Sequence, residues 1–174
     1  MSDGSPAPFQ WRPMIAADLP AVADLSARIH PNFPERPEVL AEKFRLFPRG
    51  CFVLDAATGA LPHGYCFSHP WMFGPPPALD TMLQALPHAP GAYFIHDLTV
   101  DASLRRQNLA SVVVPRLIET AREIPVECMM LVAVSGSEPF WTRMGFRRTI
   151  DETLQAATRA KYGAGAVHME RELA

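Results

Sequence analysis

No apolar run in this 174-residue chain approaches the roughly 18–20 residues needed to span a bilayer, so no membrane role is expected. The first residues, MSDGSPAPFQW, lack both a basic stretch and an apolar stretch, which argues against a secretory leader. Only three cysteines are present, an odd number in strand-like apolar surroundings. They read as buried reduced thiols rather than a disulfide framework, and the expected location is the cytoplasm. Their spacings match no zinc pattern, and the six histidines include no helical i,i+4 pair beside carboxylates, so no metal is expected. Runs of Lys or Arg are missing and the net charge is −2, which leaves no broad basic field for nucleic acid. Ser135-Gly136-Ser137 lacks the Gly-x-Ser-x-Gly order of a nucleophile elbow, and no internal repeat is found.

What the chain has in excess is proline, 18 residues concentrated in 6–37 and 62–90, which marks loops and interrupted elements. The length fits one domain over 1–174 with a core of about 9–173. A strand is expected at 9–14, then a helix capped by Asp18 and running to about Ile29, with Leu19, Val22, Leu25 and Ile29 on one face. Pro37 opens a second helix to about Phe47, stopped by Pro48-Arg49-Gly50. A hairpin follows, with strands at 51–55 and 64–68 around a turn containing Gly59. Residues 70–91 read as an insertion at the sheet edge with a short helix near 78–86. Further strands are expected at 93–100, 129–134 and 166–172, and helices at about 107–122, 138–144 and 152–161. The order βααβββαβαβ implies an α/β (α+β) fold, a mixed twisted sheet with helices on both faces.

The stretch Tyr93–Arg122 carries the most chemistry. A buried strand feeds Arg105-Arg106-Gln107-Asn108-Leu109-Ala110 into a helix. A helix start offers unpaired backbone N–H groups and a positive dipole end, and the two guanidinium groups beside it suit an anion such as phosphate.

Here the chain resembles the GNAT N-acetyltransferase superfamily. The family's motif is Arg or Gln, two residues, Gly, one residue, then Gly or Ala, and it stands here as residues 105–110. Thirty residues on, Phe140-Trp141-Thr142-Arg143-Met144-Gly145-Phe146 looks like the family's aromatic-Tyr-x-x-x-Gly-Phe. The resemblance implies acetyl-CoA or another acyl-CoA as donor and direct attack by an amine, with no covalent enzyme intermediate and no metal. It implies a pantetheine arm along Leu98, Thr99 and Val100, and a pyrophosphate cradled from Arg105 through Arg106, Gln107, Asn108, Leu109 and Ala110 to Ser111. Ser137, expected to cap the next helix, Phe140 and Trp141 would lie beside the same cofactor.

Two positions depart from the family. Asn108 replaces the first glycine, and asparagine is the residue that best tolerates left-handed backbone after glycine. Trp141 replaces the usual tyrosine, and an indole N–H is no general acid near neutral pH. Strand alternation would put His96 and Asp97 on opposite faces, with His96 the candidate catalytic base and both open to a purely structural reading. Tyr65, His69, Trp71 and Phe73 are candidates for an acceptor pocket. The implied activity is N-acetylation of a small-molecule or peptide amine. The alternative is a non-catalytic acyl-CoA-binding sensor. A homodimer is compatible with such a fold.

Overall fold

The computed structural model describes residues 8–56, 59 and 61–173; the hairpin turn expected around Gly59 falls partly on 57, 58 and 60, outside them. The elements are β1 (Phe9–Pro13), α1 (Leu19–Ile29), α2 (Pro37–Leu46), β2 (Cys51–Ala56), β3 (Gly64–Trp71) and β4 (Ala92–Val100). They continue as α3 (Leu109–Arg122), β5 (Cys128–Ala133), α4 (Glu138–Arg143), β6 (Arg147–Arg148), α5 (Glu152–Tyr162) and β7 (Val167–Glu172). The seven strands form one mixed sheet in the order β1-β2-β3-β4-β5-β7-β6. All pairs are antiparallel except β4 with β5. The mixed sheet with helices on both faces is the fold class expected from the sequence.

Alternation along the strands sorts side chains between two cores. Leu54, Cys66, Tyr93, Ile95, Met129 and Leu131 face α3, where Val113, Val114, Leu117 and Ala121 supply the helical stripe, and Trp141 and Phe146 close the same core. The opposite face carries Val53, Tyr65 and Phe67 against Val22 and Leu25 of α1 and Leu40 of α2. Cys51 and Cys66 are buried as expected, while Cys128 is only partly covered.

Four local expectations are corrected. Asp18 does not cap α1 with its side chain. It forms a bidentate pair with Arg12, both bonds 2.8 Å, and accepts the Ile15 N–H, because a buried carboxylate gains more from a guanidinium fork than from one amide. Ser137 likewise makes no side-chain cap on α4. Residues 78–86 form no helix: Asp80 and Gln84 have φ of 53° and 65°, and the Leu83 and Gln84 N–H groups donate to the Glu42 carboxylate of α2. Lastly, the segment between β3 and β4 is not at a sheet edge, since those strands are central neighbours. Arg36 holds it from the α2 side through Asp80, at 2.9 Å. Near α5, the Tyr162 hydroxyl donates to the Pro77 carbonyl at 2.6 Å and Lys161 to Pro76 at 2.7 Å.

Candidate active site

β4 and β5 pair only over Tyr93–Ile95 and Met129–Leu131. Beyond Ile95 and Leu131 the ladder stops, and the gap opens into a cavity of about 660 Å³ bounded by Leu98, Thr99 and Val100 on one side and Val132 and Val134 on the other. A strand edge without a neighbour presents free backbone N–H and C=O groups, a template for an extended ligand.

One end of this cavity is the start of α3. A 3-10 turn over Ala102–Gln107 precedes it, with the Asp101 side chain accepting the Ser103 N–H. Asn108 then turns the chain at φ 56°, ψ 24°, in the left-handed region, and no side chain caps the helix. No side chain therefore competes for the first amides of α3, and Arg105 stands at the cavity wall. The Trp11 indole N–H donates to the Leu109 carbonyl at 2.8 Å, and Arg116 donates to the Trp11 carbonyl, tying the turn to β1.

At the other end, β4 is irregular. Phe67 pairs with Asp97 but Ser68 pairs with Ile95, so His96 is an extra residue in β4, a β-bulge. Its effect is to break alternation. Tyr93, Ile95 and Val100 belong to the α3-side core, with Leu98 packed against it. His96 instead stacks near Phe94 and His69, and Asp97 accepts from Tyr65, so both reach the α1/α2 face. The expected placement of His96 and Asp97 on opposite faces is thus corrected.

Two polar networks result. In the first, His96 Nε2 lies 2.5 Å from Glu35 Oε1 and Lys43 Nζ 3.2 Å from Glu35 Oε2, with all three side chains at most 6% exposed. Burial alone would raise the Glu35 pKa, but His96 and Lys43 outweigh it and hold the carboxyl down at about 2. In the second, the Tyr65 hydroxyl donates to Asp97 Oδ2 at 2.6 Å, and the Thr99 hydroxyl donates to Asp97 Oδ1 at 3.2 Å. His30, at the C-terminal end of α1, sits 2.7 Å from Thr99 Oγ1.

The profile of the acetyltransferase (GNAT) family matches residues 19–146. The chain belongs to that family. No curated protein matches it in sequence. Among solved structures it is similar to the GNAT-like decarboxylase GphF in complex with isobutyryl-CoA, at TM-score 0.75 and 19% identity over 95% of this chain and 100% of that one. It is also similar to Arabidopsis thaliana Naa50 in complex with a CoA-Ac-MVNAL bisubstrate analogue, at 0.66 and 11% over 95% and 99% of the two chains. N-acetylglutamate synthase from Neisseria gonorrhoeae, with coenzyme A and N-acetyl-glutamate, aligns at 0.69 and 15% over 98% of this chain and 36% of that one. At such identities the likeness is one of fold.

Set on this GNAT frame, most of the residues expected to hold a cofactor come together. Leu98, Thr99, Val100, Arg105, Asn108, Leu109 and Ala110 border the cavity from β4 and the α3 turn. Ser137, Phe140 and Trp141 border it from the β5–α4 side. Arg106, Gln107 and Ser111 do not border it; the first two are exposed, and the Ser111 hydroxyl donates to the Asn108 carbonyl. Trp141 is buried, edge-on to Phe140 and Phe146, so its indole shapes the wall. His96 borders the cavity at the β4 bulge. The aromatic acceptor candidates do not border the cavity: Tyr65 and His69 are buried beneath it, Trp71 is elsewhere on β3, and Phe73 is exposed.

Sequence reasoning missed His30, Glu35 and Lys43. Their signal is weak, since a helix-terminal histidine and a Glu-Lys pair eight residues apart across a proline-rich link look like ordinary surface polarity. Phe33, Leu79 and Tyr162, from three separate segments, complete the mouth. No described group of three or more His, Cys, Asp or Glu is arranged to hold a metal, and no described helix is long and apolar enough to cross a membrane.

Proposed function

We propose that the protein is an acyl-CoA-dependent N-acetyltransferase, with the acetyl donor in the β4/β5 cleft and a primary amine entering from the α1/α2 side. The observation that carries this is the cleft itself: an unpaired β4 edge leading directly to an uncapped fourteen-residue helix turned by a left-handed Asn108. These parts fit a long ligand that is extended in the middle and anionic at one end. Leu98–Val100 would pair with its amide-bearing arm, and the amides from Asn108 to Ala110, with Arg105 beside them, would hold its phosphates. The donor would supply an activated thioester carbonyl, and a backbone N–H of the β4 edge would polarise it.

Amine deprotonation falls to a histidine of the acceptor face, where His96 and His30 both border the cavity. Phe33, Leu79 and Tyr162 line the entrance with apolar surface, while Asp97 and Glu35 favour an incoming ammonium. That suits an amine carried on an apolar body, whether a small molecule or a peptide N-terminus. Trp141 leaves the departing thiolate to be protonated by water.

The test is calorimetric titration with acetyl-CoA, followed by thiol release in the presence of an amine panel. Saturable binding, weakened roughly 10–100-fold by Arg105→Glu through loss of a charge-assisted contact, is expected together with amine-dependent release. Binding without release by any amine would leave a sensor module instead. No binding would remove the reading altogether.

A further inference from the structure

The two histidines on the acceptor face are not equivalent, and their surroundings separate a proton carrier from a brace. His96 is the sealed one. Its Nε2 is held by Glu35, Glu35 is held by Lys43, and its Nδ1 is buried with no partner. A proton arriving at that Nδ1 would be buried without an acceptor, at full desolvation cost. His30 borders the cavity with its side chain 22% exposed, at the end of α1 where its own N–H donates to the Ser26 carbonyl.

Hydrogen-bond logic fixes the His30 tautomer. The Tyr65 phenol, kept protonated by burial and by Asp97, donates to Asp97 Oδ2. The Thr99 hydroxyl spends its single proton on Asp97 Oδ1. What Thr99 then offers His30 at 2.7 Å is a lone pair, so His30 Nε2 carries the proton and donates. Asp97 Oδ2 is 3.5 Å from the same nitrogen. Nδ1 is left as the basic ring atom.

We infer that His30 is the general base of the reaction, taking the amine proton at Nδ1 while Thr99 and Asp97 hold its Nε2–H; this rests on the acyltransferase reading above. As the N–C bond to the acyl carbon forms and the C–S bond breaks, His30 Nδ1 takes the proton that leaves nitrogen. The imidazolium then returns it to solvent, from which the departing thiolate is neutralised, so amine and thioester become amide and thiol. Asp97 only accepts hydrogen bonds in this step and is a positioning residue. The groups facing the ring are Asp97 and Thr99 from the sheet, Glu35 from the α1–α2 link and Arg105 from the turn before α3. Asp97 raises the His30 pKa, burial opposes that, and Arg105 and Glu35 act in opposite senses.

The experiment uses the full chain and two readouts. In the first, histidine ring resonances are titrated by NMR without ligand, with His30 assigned through His30→Gln. His30 is expected to titrate above the ordinary value of about 6.5, and to move down in Asp97→Asn. A resonance at or below 6.5 that ignores Asp97→Asn overturns the inference. In the second, kcat/KM for an amine turned over with acetyl-CoA is followed against pH. The rate is expected to rise as His30 loses its proton. His30→Gln should abolish that limb and lower kcat about 10²–10⁴-fold, with acetyl-CoA affinity held within a factor of about two. The limb should persist in His96→Gln. A limb that survives His30→Gln but is lost in His96→Gln makes His96 the base and overturns the inference alone. Failure of the wild type to bind acetyl-CoA overturns the acyltransferase reading as well.

Discussion

The two faces of this sheet solve the burial problem in different ways. Toward α3 the core is almost wholly apolar, from Trp11 and Leu54 across Ile95 and Leu131 to Leu117 and Phe146. Toward α1 and α2 the strands bury Lys43, Glu35, His96 and His69, with a half-buried Asp97 beside them, among Val53, Phe67 and Leu40. An apolar face gains stability from every atom it covers; a face carrying charge gains only when each charge is paired. The proposed chemistry falls on the polar face. The β4 bulge moves His96 and Asp97 together onto the polar face, and the cleft opens where β4 and β5 part, between the two environments.

The largest break in this contrast is expected at Lys43. Lys43→Met keeps the length of the side chain but leaves the Glu35 carboxylate, about 94% covered, without its lysine and held by His96 alone. Loss of one partner from a buried pair costs roughly 3–5 kcal/mol, to be read from urea unfolding. On the apolar face, Met129→Leu conserves volume and should cost less than about 1.5 kcal/mol. The double variant Lys43→Met/Glu35→Gln should recover most of the loss, because no orphan charge remains. A single Lys43→Met within about 1 kcal/mol of wild type would mean that the polar face is solvated and the contrast false.

Acid sharpens the same comparison. Burial pushes the His69 pKa down to about 3 and that of His168 down to about 4. Both are neutral when folded, while the unfolded chain protonates them near 6.5. The folded pKa values are depressed, so their contribution is complete above about pH 6.5 and is lost as pH falls toward 4 and 3. Each histidine removes up to about 1.4 kcal/mol per pH unit in that window. Glu35 acts in the same direction lower down: its folded pKa of about 2 means stability present above about 4.5 and lost below it. Unfolding free energy measured from pH 7 to 5 should fall steadily, and His69→Phe should remove about one histidine's share of the slope. A flat profile over that range would show that these rings charge freely in the folded protein.

What was legible in the sequence follows the same division. The seam from β4 into α3 is local: a buried strand, two arginines and a helix start are adjacent residues, so strand, turn and helix could all be read together. The apolar face follows periodicity for the same reason. The polar face could not be read, because its contacts join residues 69 positions apart, as in His30 with Thr99, or 61 apart, as in Glu35 with His96. A bulge is also invisible to alternation, since one extra residue against β3 reverses which face the following side chains take. The absent helix at 78–86 failed likewise: Glu42 of α2, about forty positions away, captures the amides of the loop.

Asn108 is where a sequence expectation and a small energy meet, and it gives the finest test of the contrast. Its φ of 56° is the conformation that glycine adopts freely and that asparagine adopts more readily than most other side chains. Asn108→Gly should relieve that residual cost while loosening the unfolded chain, two effects of opposite sign that leave stability within about 1 kcal/mol. In the proposed donor site the ligand meets the backbone of this turn rather than the asparagine side chain, so acetyl-CoA affinity should hold or rise. Asn108→Val puts a β-branched residue into the same dihedrals and should cost roughly 1–3 kcal/mol, with affinity falling as the turn shifts. The discriminating measurement is a calorimetric titration of both variants beside their unfolding curves. Loss of affinity in Asn108→Gly with stability intact would show that the side chain itself contacts the ligand, and the cleft would then depend on polar groups from both faces.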